Sequence, residues 1–202
     1  YKHTTGGDLL ANPHFLSADL FGRFLNTLEA IHPNIGILLF QFEYLNKQKM
    51  ASASEFVEKL RQFFDTVRER TAARFPMAIE IRNPNYLKRP YFEFLKQQRV
   101  SHVFVQGYYM PDIVQVYDDY SDYIDDTIVI RLLGPDRKGI EKETGKKWDR
   151  IVAPRDEEIE RIIRILLELE EKGITVYLNI NNHYEGSAPK TIDKFRALLK
   201  KG

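Results

Sequence analysis

Charged side chains stand in or just after the apolar runs of this sequence, where they could bind and transform a small polar molecule. Glu80 and Arg82 lie two residues apart at the end of one run, and Arg131 lies within another. A carboxylate in a confined site can be tuned to transfer protons near neutral pH, and a guanidinium binds phosphate or carboxylate bidentately. We therefore predict Glu80 as the proton-transfer group, with Arg82 and Arg131 as the anion clamp. The alternative is a structural ion pair, because a buried charge needs a partner in either case.

A second set of residues is predicted to bind and orient the ligand. The set consists of Lys2, Gln41, Asn83, Gly134, Asn179, Asn181, Asn182, His183 and Gly186. Amides orient polyols or phosphates through hydrogen bonds, and the stretch from 181 to 189 precedes a predicted helix whose N-terminus favours an anion. The alternative for this stretch is a turn in which Asn and Gly supply special backbone angles. His183 alone predicts no metal site, because zinc needs three or four ligands.

Two further stretches are open to both a functional and a structural interpretation. The basic residues Arg137 and Lys138 follow Gly134 and either hold an anion or lie on the surface. Trp148, within a long loop predicted between Gly134 and Asp156, either covers the site or packs at its rim. Residues 107–126 mix tyrosines with aspartates, and this acidity opposes a phosphate backbone. We expect short helical turns there.

Short apolar runs alternate with amphipathic helical patterns along the chain. Strands are predicted at residues 35–42, 77–82, 100–106, 127–133 and 174–180, and residues 1–4 resemble the end of a sixth strand. The first of these runs is continuous and is expected to be buried on both faces. Period-two alternation places Glu80 with Arg82, and Asn179 with Asn181, on common faces. The pattern predicts an α/β fold with a parallel sheet, either a barrel or an open doubly wound sheet, and no Gly-rich nucleotide-binding turn supports the latter.

Composition places the chain among soluble globular proteins. It has 202 residues, 43% of them hydrophobic, with 30 basic and 29 acidic side chains and no cysteine. A core of this size excludes a disordered tail and a disulfide scaffold. No apolar run approaches the roughly 20 residues that span a bilayer. The absence of cysteine fits a reducing cytoplasm, which is the predicted location.

Four motifs occur in order over the chain: GILLFQF from residue 36, AIEIRNP from 78, IRLLG from 130 and NNHYEGSAP from 181. In this order they resemble the YecE-like family (domain of unknown function 72). The resemblance implies a TIM (β/α)8 barrel whose N-terminal two to three βα units are missing from this chain. Residues 1–202 would then form a single domain, from about the end of strand 3 to helix 8. Leu133 and Gln106 stand where the family usually has His and often has Asp, so neither is assigned a proton-transfer role.

These observations predict an enzyme, a hydrolase or an isomerase or lyase, that acts on a small anionic, phosphorylated or sugar-like ligand at the C-terminal face of the barrel. The alternative is a nucleic-acid-binding protein or a metal-dependent phosphodiesterase resembling the abasic-site endonuclease barrels. The latter would need clustered His, Asp and Glu for metals about 3.5–4 Å apart. A binding protein without turnover is a third hypothesis. The sequence identifies no cofactor and no oligomeric state, and nucleic acid is the less favoured partner.

Overall fold

The computed structural model of the chain has an α/β fold built from two compact units. It describes residues 2–3, 9–10, 12–70 and 75–200, with the backbone alone for residues 2, 3 and 9. The units are Tyr1–Val100 and Ser101–Gly202. Two strands of the first unit and three of the second are paired in parallel and flanked by helices. A closed barrel is not confirmed, because within the described residues each unit holds an open set of parallel strands.

The first unit begins with a short antiparallel pair and continues as alternating helices and strands. Its elements are β1 (Lys2–His3), β2 (Leu9–Leu10), α1 (Ala18–Thr27), a 3-10 helix (Glu29–Asn34), β3 (Leu38–Gln41), α2 (Ala53–Arg70), β4 (Met77–Glu80), a 3-10 helix (Pro84–Tyr86) and α3 (Arg89–Gln98). β1 pairs antiparallel with β2. Lys2–His3 is thus a strand, as expected for the end of a sixth strand at residues 1–4, but its described pairing is antiparallel and with a strand close by in the chain. Residues 1 and 4 lie outside the described residues.

The core of the first unit is built on α2. Ser52 and Glu55 have the spacing of a capping box at its N-terminus: Ser52 Oγ accepts from the Glu55 N–H at 3.0 Å, while the Glu55 carboxylate accepts from the Ala51 N–H, one residue before Ser52, at 2.9 Å. The apolar residues at helical spacing are buried, and they comprise Phe56, Leu60, Phe63, Phe64 and Val67. This stripe packs edge-on against Phe40 of β3. The helical period alone thus identified the face that contacts the strand.

The strand predicted at residues 35–42 is confirmed for its central part, but the prediction that both of its faces are buried was wrong. Only Leu38–Gln41 forms a β-strand. Its residues alternate between half-buried and exposed, and Leu39 is 37% exposed to solvent. A cavity of about 630 Å³ lies beside this strand, lined in part by Phe21 and Phe24 of α1. The described residues leave this space unfilled, so the apolar side chains along β3 are only partly covered.

The second unit places three parallel strands among helices. Its elements are β5 (Ser101–Gly107), α4 (Ile113–Tyr120), a 3-10 helix (Ser121–Tyr123), β6 (Thr127–Gly134), α5 (Arg137–Thr144), α6 (Asp156–Glu171), β7 (Thr175–Ile180) and α7 (Ala188–Leu199). β6 lies between β5 and β7. The helical turns expected within residues 107–126 are confirmed as α4 and the 3-10 helix that follows. The loop predicted from Gly134 to Asp156 is a partial error, because it contains α5.

His102 of β5 is buried and should make this unit sensitive to acid. Its ring packs edge-on against Phe104 at 4.9 Å, and burial lowers the pKa of His102 to about 3. The unfolded chain binds the proton near pH 6.5, so the folded state loses stability as the pH falls from 6.5 toward 3. We expect this histidine to cost about 1.4 kcal/mol per pH unit in that window.

Chemical denaturation at several pH values would measure this effect. The difference in free energy of unfolding between wild type and His102→Phe should change with that slope between pH 6.5 and 4. The control His14→Phe, at an exposed position, should track the wild type. Parallel pH profiles for wild type and His102→Phe would contradict the assignment.

Candidate functional site

The end of β4 carries a buried carboxylate in contact with a guanidinium. Glu80 is completely buried, and its Oε1 forms an ion pair with Nη2 of Arg82. Arg82 lies two residues beyond the end of β4, and the ion pair brings together the two side chains that the alternation predicts on a common face. The Arg82 side chain is 18% exposed to solvent. The arrangement therefore pairs the buried Glu80 carboxylate with a guanidinium that is partly accessible to solvent.

The predicted amides around this pair have different surroundings. Gln41 ends β3 directly opposite Glu80 in the parallel ladder and is exposed. Asn83 is buried, and its amide makes two hydrogen bonds to the Leu45 backbone: Oδ1 accepts from N–H at 2.8 Å, and Nδ2 donates to the carbonyl at 2.9 Å. Asn83 thus anchors the chain segment after β3, and ligand binding by this residue stays a prediction. The side chain of Lys2 lies outside the described residues.

In the second unit, the predicted residues Arg131 and Asn179 are neighbours. They occupy facing positions of the parallel ladder between β6 and β7, so their side chains project from the same face of the sheet. Arg131 is half-buried and Asn179 is exposed. A guanidinium and an amide side by side provide hydrogen-bond donors suited to an anion.

The amide oxygens of Asn181 and Asn182 shape the turn that follows β7. Asn181 Oδ1 accepts from the His183 N–H at 2.9 Å, and Asn182 Oδ1 accepts from the Ala188 N–H at 2.8 Å at the start of α7. The turn alternative thus accounts for both oxygens. Both residues are half-buried, and neither Nδ2 group makes a hydrogen bond within the described part of the chain, so both donors are available to water or to a ligand.

Gly134 and Gly186 are explained by the backbone. Gly134 has a φ of +77°, and a Cβ there would overlap the carbonyl oxygen of His183. Gly186 has a φ of +112°, and a Cβ there would lie 2.7 Å from the carbonyl oxygen of Arg150. Both positions combine a left-handed conformation with a close backbone approach, which only glycine allows at low cost. Their predicted contact with a ligand stays a prediction.

His183 is held by Glu141, a residue that sequence reasoning missed. Its Nε2 lies 3.1 Å from Glu141 Oε1, which also accepts from Arg137 Nε at 2.8 Å. The hydrogen bond from Arg137 is the main cause that lowers the pKa of Glu141. The signal for α5 was present in the sequence: Asp136 caps the helix through the Gly139 N–H, and Gly145 ends it with a positive φ.

Gln106 is part of a carboxylate network that fixes the ends of the strands. Glu158 accepts from Gln106 Nε2 and from the Tyr184 hydroxyl, both at 2.5 Å. Gln106 Oε1 in turn accepts from the Ile113 N–H at 3.0 Å. Burial, followed by the hydrogen bond to Glu158, raises the pKa of Tyr184. These contacts tie β5, α4, α6 and the turn after β7 together.

Glu185, like Glu80, is a buried carboxylate, and it was not among the predicted site residues. Its Oε1 accepts from the Arg155 N–H and from Lys194 Nζ, both at 2.8 Å, and its Oε2 accepts from Thr191 Oγ1 at 2.8 Å. The backbone carbonyl of Glu185 also accepts from the Val152 N–H at 2.8 Å. Glu185 therefore fastens the turn that carries His183 to α7 and to the start of α6.

Two features that the described residues lack bear on metal binding and on membranes. No group of three or more His, Cys, Asp or Glu within them is placed to hold a metal ion. The metal-dependent phosphodiesterase stays a prediction. Within the same residues, no helix combines the length and apolarity needed to cross a bilayer, and the cytoplasmic location stays a prediction.

Comparisons with known proteins identify the family. No curated protein matches the chain. A solved DUF72 family protein from Thermotoga maritima matches with 20% identity and a TM-score of 0.59, over 91% of this chain and 64% of that one. The chain thus spans less than two thirds of that protein, and a likeness at this identity shows the fold alone.

A second solved structure, a dihydropteroate synthase from Xanthomonas albilineans in complex with 7,8-dihydropteroate, has 11% identity and covers 97% of this chain and 90% of that one. Its TM-score of 0.32 carries no argument. The family model described as a protein of unknown function, DUF72, matches residues 2–202. The resemblance to the YecE-like family is thereby confirmed, and the chain belongs to the DUF72 family.

Proposed function

We propose that this chain is an enzyme that binds a small anionic ligand, phosphorylated or sugar-like, at the end of β4. Glu80 would transfer the proton and Arg82 would bind the anion. One observation carries the proposal: the fully buried Glu80 carboxylate contacts the guanidinium of Arg82, whose side chain is 18% exposed to solvent. A buried carboxylate is one of the groups that enzymes use for proton transfer.

The cost of burial separates this proposal from a purely structural pair. Removing two charges from water costs several kcal/mol per ion, and well-packed apolar residues often stabilise a core as well or better. Partial exposure of Arg82 does serve a ligand, because its guanidinium matches the geometry of phosphate and carboxylate.

The second unit offers the same chemistry. Arg131 and Asn179 face the same side of the parallel ladder. A bidentate cation beside an amide can bind a phosphate or a sugar hydroxyl. Arg131 therefore remains the second proposed anion-binding residue.

A ligand screen with a matched pair of variants tests the proposal. Inorganic phosphate and hexose monophosphates would be tested by thermal shift, and turnover would be followed by ³¹P NMR. A ligand at 100 times its Kd adds about 2.7 kcal/mol to the free energy of unfolding. We expect Glu80→Gln to remain folded and to bind, because the guanidinium it leaves is partly solvated, but to lose about 10²- to 10⁴-fold in turnover.

Glu93→Gln is the control, because Glu93 pairs with Arg89 in an exposed ion pair of the same unit. This variant should bind and turn over the ligand as the wild type does. Two results would contradict the proposal. Either none of these phosphate ligands binds to the wild type, or Glu80→Gln retains wild-type turnover. A large loss of thermal stability in Glu80→Gln would instead favour a structural ion pair.

A further inference from the structure

His183 has a defined protonation pattern because of its partner. Glu141 Oε1 lies 3.1 Å from His183 Nε2, and the hydrogen bond from Arg137 Nε keeps Glu141 ionised. A carboxylate only accepts, so Nε2 must carry the proton. In the neutral ring the lone pair therefore resides on Nδ1. Lys146 Nζ lies 3.7 Å from Glu141 Oε2 and is the second cation beside this carboxylate.

The lone pair on Nδ1 is not used by the protein. The atom is buried and has no hydrogen-bond partner within the described residues, while the His183 side chain as a whole keeps 13% of its exposure. A buried acceptor left without a partner costs free energy, so it calls for an explanation. The adjoining Nδ2 groups of Asn181 and Asn182 likewise donate to no described residue. One acceptor and two amide donors thus adjoin one another in the chain without protein partners.

An indole covers the imidazole. The rings of Trp148 and His183 lie edge to face with their centroids 5.0 Å apart. Trp148 and Lys146 both have left-handed backbones, with φ of +53° and +61°, a strained conformation that concentrates at functional sites. The loop is anchored on the C-terminal side of Trp148, where the Val152 N–H donates to the Glu185 carbonyl at 2.8 Å.

We propose that His183 is an acid–base residue of a sugar- or polyol-binding site in the second unit, with Glu141 as its positioning residue and Trp148 as its aromatic cover. The ligand class follows from the groups present. A hydroxyl can donate to Nδ1 and accept from an amide, and the apolar face of a sugar can pack on an indole. This inference rests on residues of the second unit and does not depend on ligand binding at Arg82.

The expected chemistry is a single proton transfer. Nδ1 acts as a general base: it takes the proton of a ligand hydroxyl as the electron pair of that oxygen is used in the reaction, and the ring becomes an imidazolium. Nε2 keeps its own proton, and the Glu141 carboxylate stabilises the positive charge. Return of the proton from Nδ1 restores the neutral ring.

Fluorescence tests ligand binding at this site specifically, because Trp148 is the only tryptophan in the chain. We would titrate the full chain with glucose, xylose and sorbitol and record the indole emission. We expect a saturable change in emission for at least one of these probes. His183→Gln should weaken the binding of that probe about tenfold or more, which corresponds to about 1.4 kcal/mol of binding free energy. His14→Gln, at an exposed position, should bind as the wild type does.

Nitrogen NMR tests the role of Glu141 separately. In ¹⁵N-labelled protein at a pH where the ring is neutral, His183 should carry its proton on Nε2, and Glu141→Gln should shift the ring toward a mixture of tautomers. A proton on Nδ1 in the wild type would overturn the proposal. So would the absence of any emission change with all three probes, or equal affinity in wild type and His183→Gln.

Discussion

We expect Arg82→Met to lower the free energy of unfolding by about 3–5 kcal/mol at neutral pH. The substitution keeps the length of the side chain and removes the guanidinium that contacts Glu80. Because Glu80 is completely buried, its charge would lose a paired cation in a place that water does not reach. Urea denaturation followed by circular dichroism would measure the loss.

Two further variants separate charge from packing. Adding Glu80→Gln to Arg82→Met removes the uncompensated charge, so the double variant should recover most of the lost stability. Arg89→Met, which breaks an exposed ion pair of the same unit, should change stability by about 0.5 kcal/mol or less. If Arg82→Met costs no more than this control, Arg82 does not compensate the charge of Glu80.

Glu185→Ala should have an effect of similar size, about 3–5 kcal/mol. Glu185 is fully buried and accepts hydrogen bonds from the Arg155 N–H, Thr191 Oγ1 and Lys194 Nζ. Truncation leaves three donors without their acceptor and opens a space in the core. The same urea titration would measure the loss of stability.

The turn that carries His183 should loosen in Glu185→Ala, and hydrogen exchange at its amides would detect this. Glu160→Ala is the control, since Glu160 is an exposed residue of α6. Its stability should stay within about 0.5 kcal/mol of the wild type. A Glu185→Ala protein with wild-type stability and exchange rates would show that the carboxylate does not hold the turn.

Periodicity made much of this fold predictable. The stripe of α2 is buried as its spacing predicts, and so is that of α6, which comprises Ile159, Ile162, Ile163, Leu166 and Leu169. Alternation also predicted that Glu80 and Arg82 share a face, and the two side chains form an ion pair. These patterns are local, because a helix or strand determines which of its own residues share a side.

Features that depend on contacts distant in the chain were not predictable in the same way. The partial exposure of β3 depends on what packs against it, which its own apolar run does not encode. The pairing of His183 with Glu141 joins residues that are 42 positions apart. The local signals for α5, which carries Glu141, were its Asp136 cap and its terminal Gly145, but the interpretation of Gly134 to Asp156 as a loop overlooked both.

Calorimetric titration of inorganic phosphate into Arg82→Lys tests the central claim most directly. Lysine keeps the positive charge beside Glu80, so the fold should hold, but it lacks the two-pronged geometry of a guanidinium. We predict that Arg82→Lys binds phosphate about tenfold more weakly than the wild type, while the exposed control Arg89→Lys binds within about twofold. Equal phosphate affinity in Arg82→Lys and wild type would contradict anion binding by Arg82.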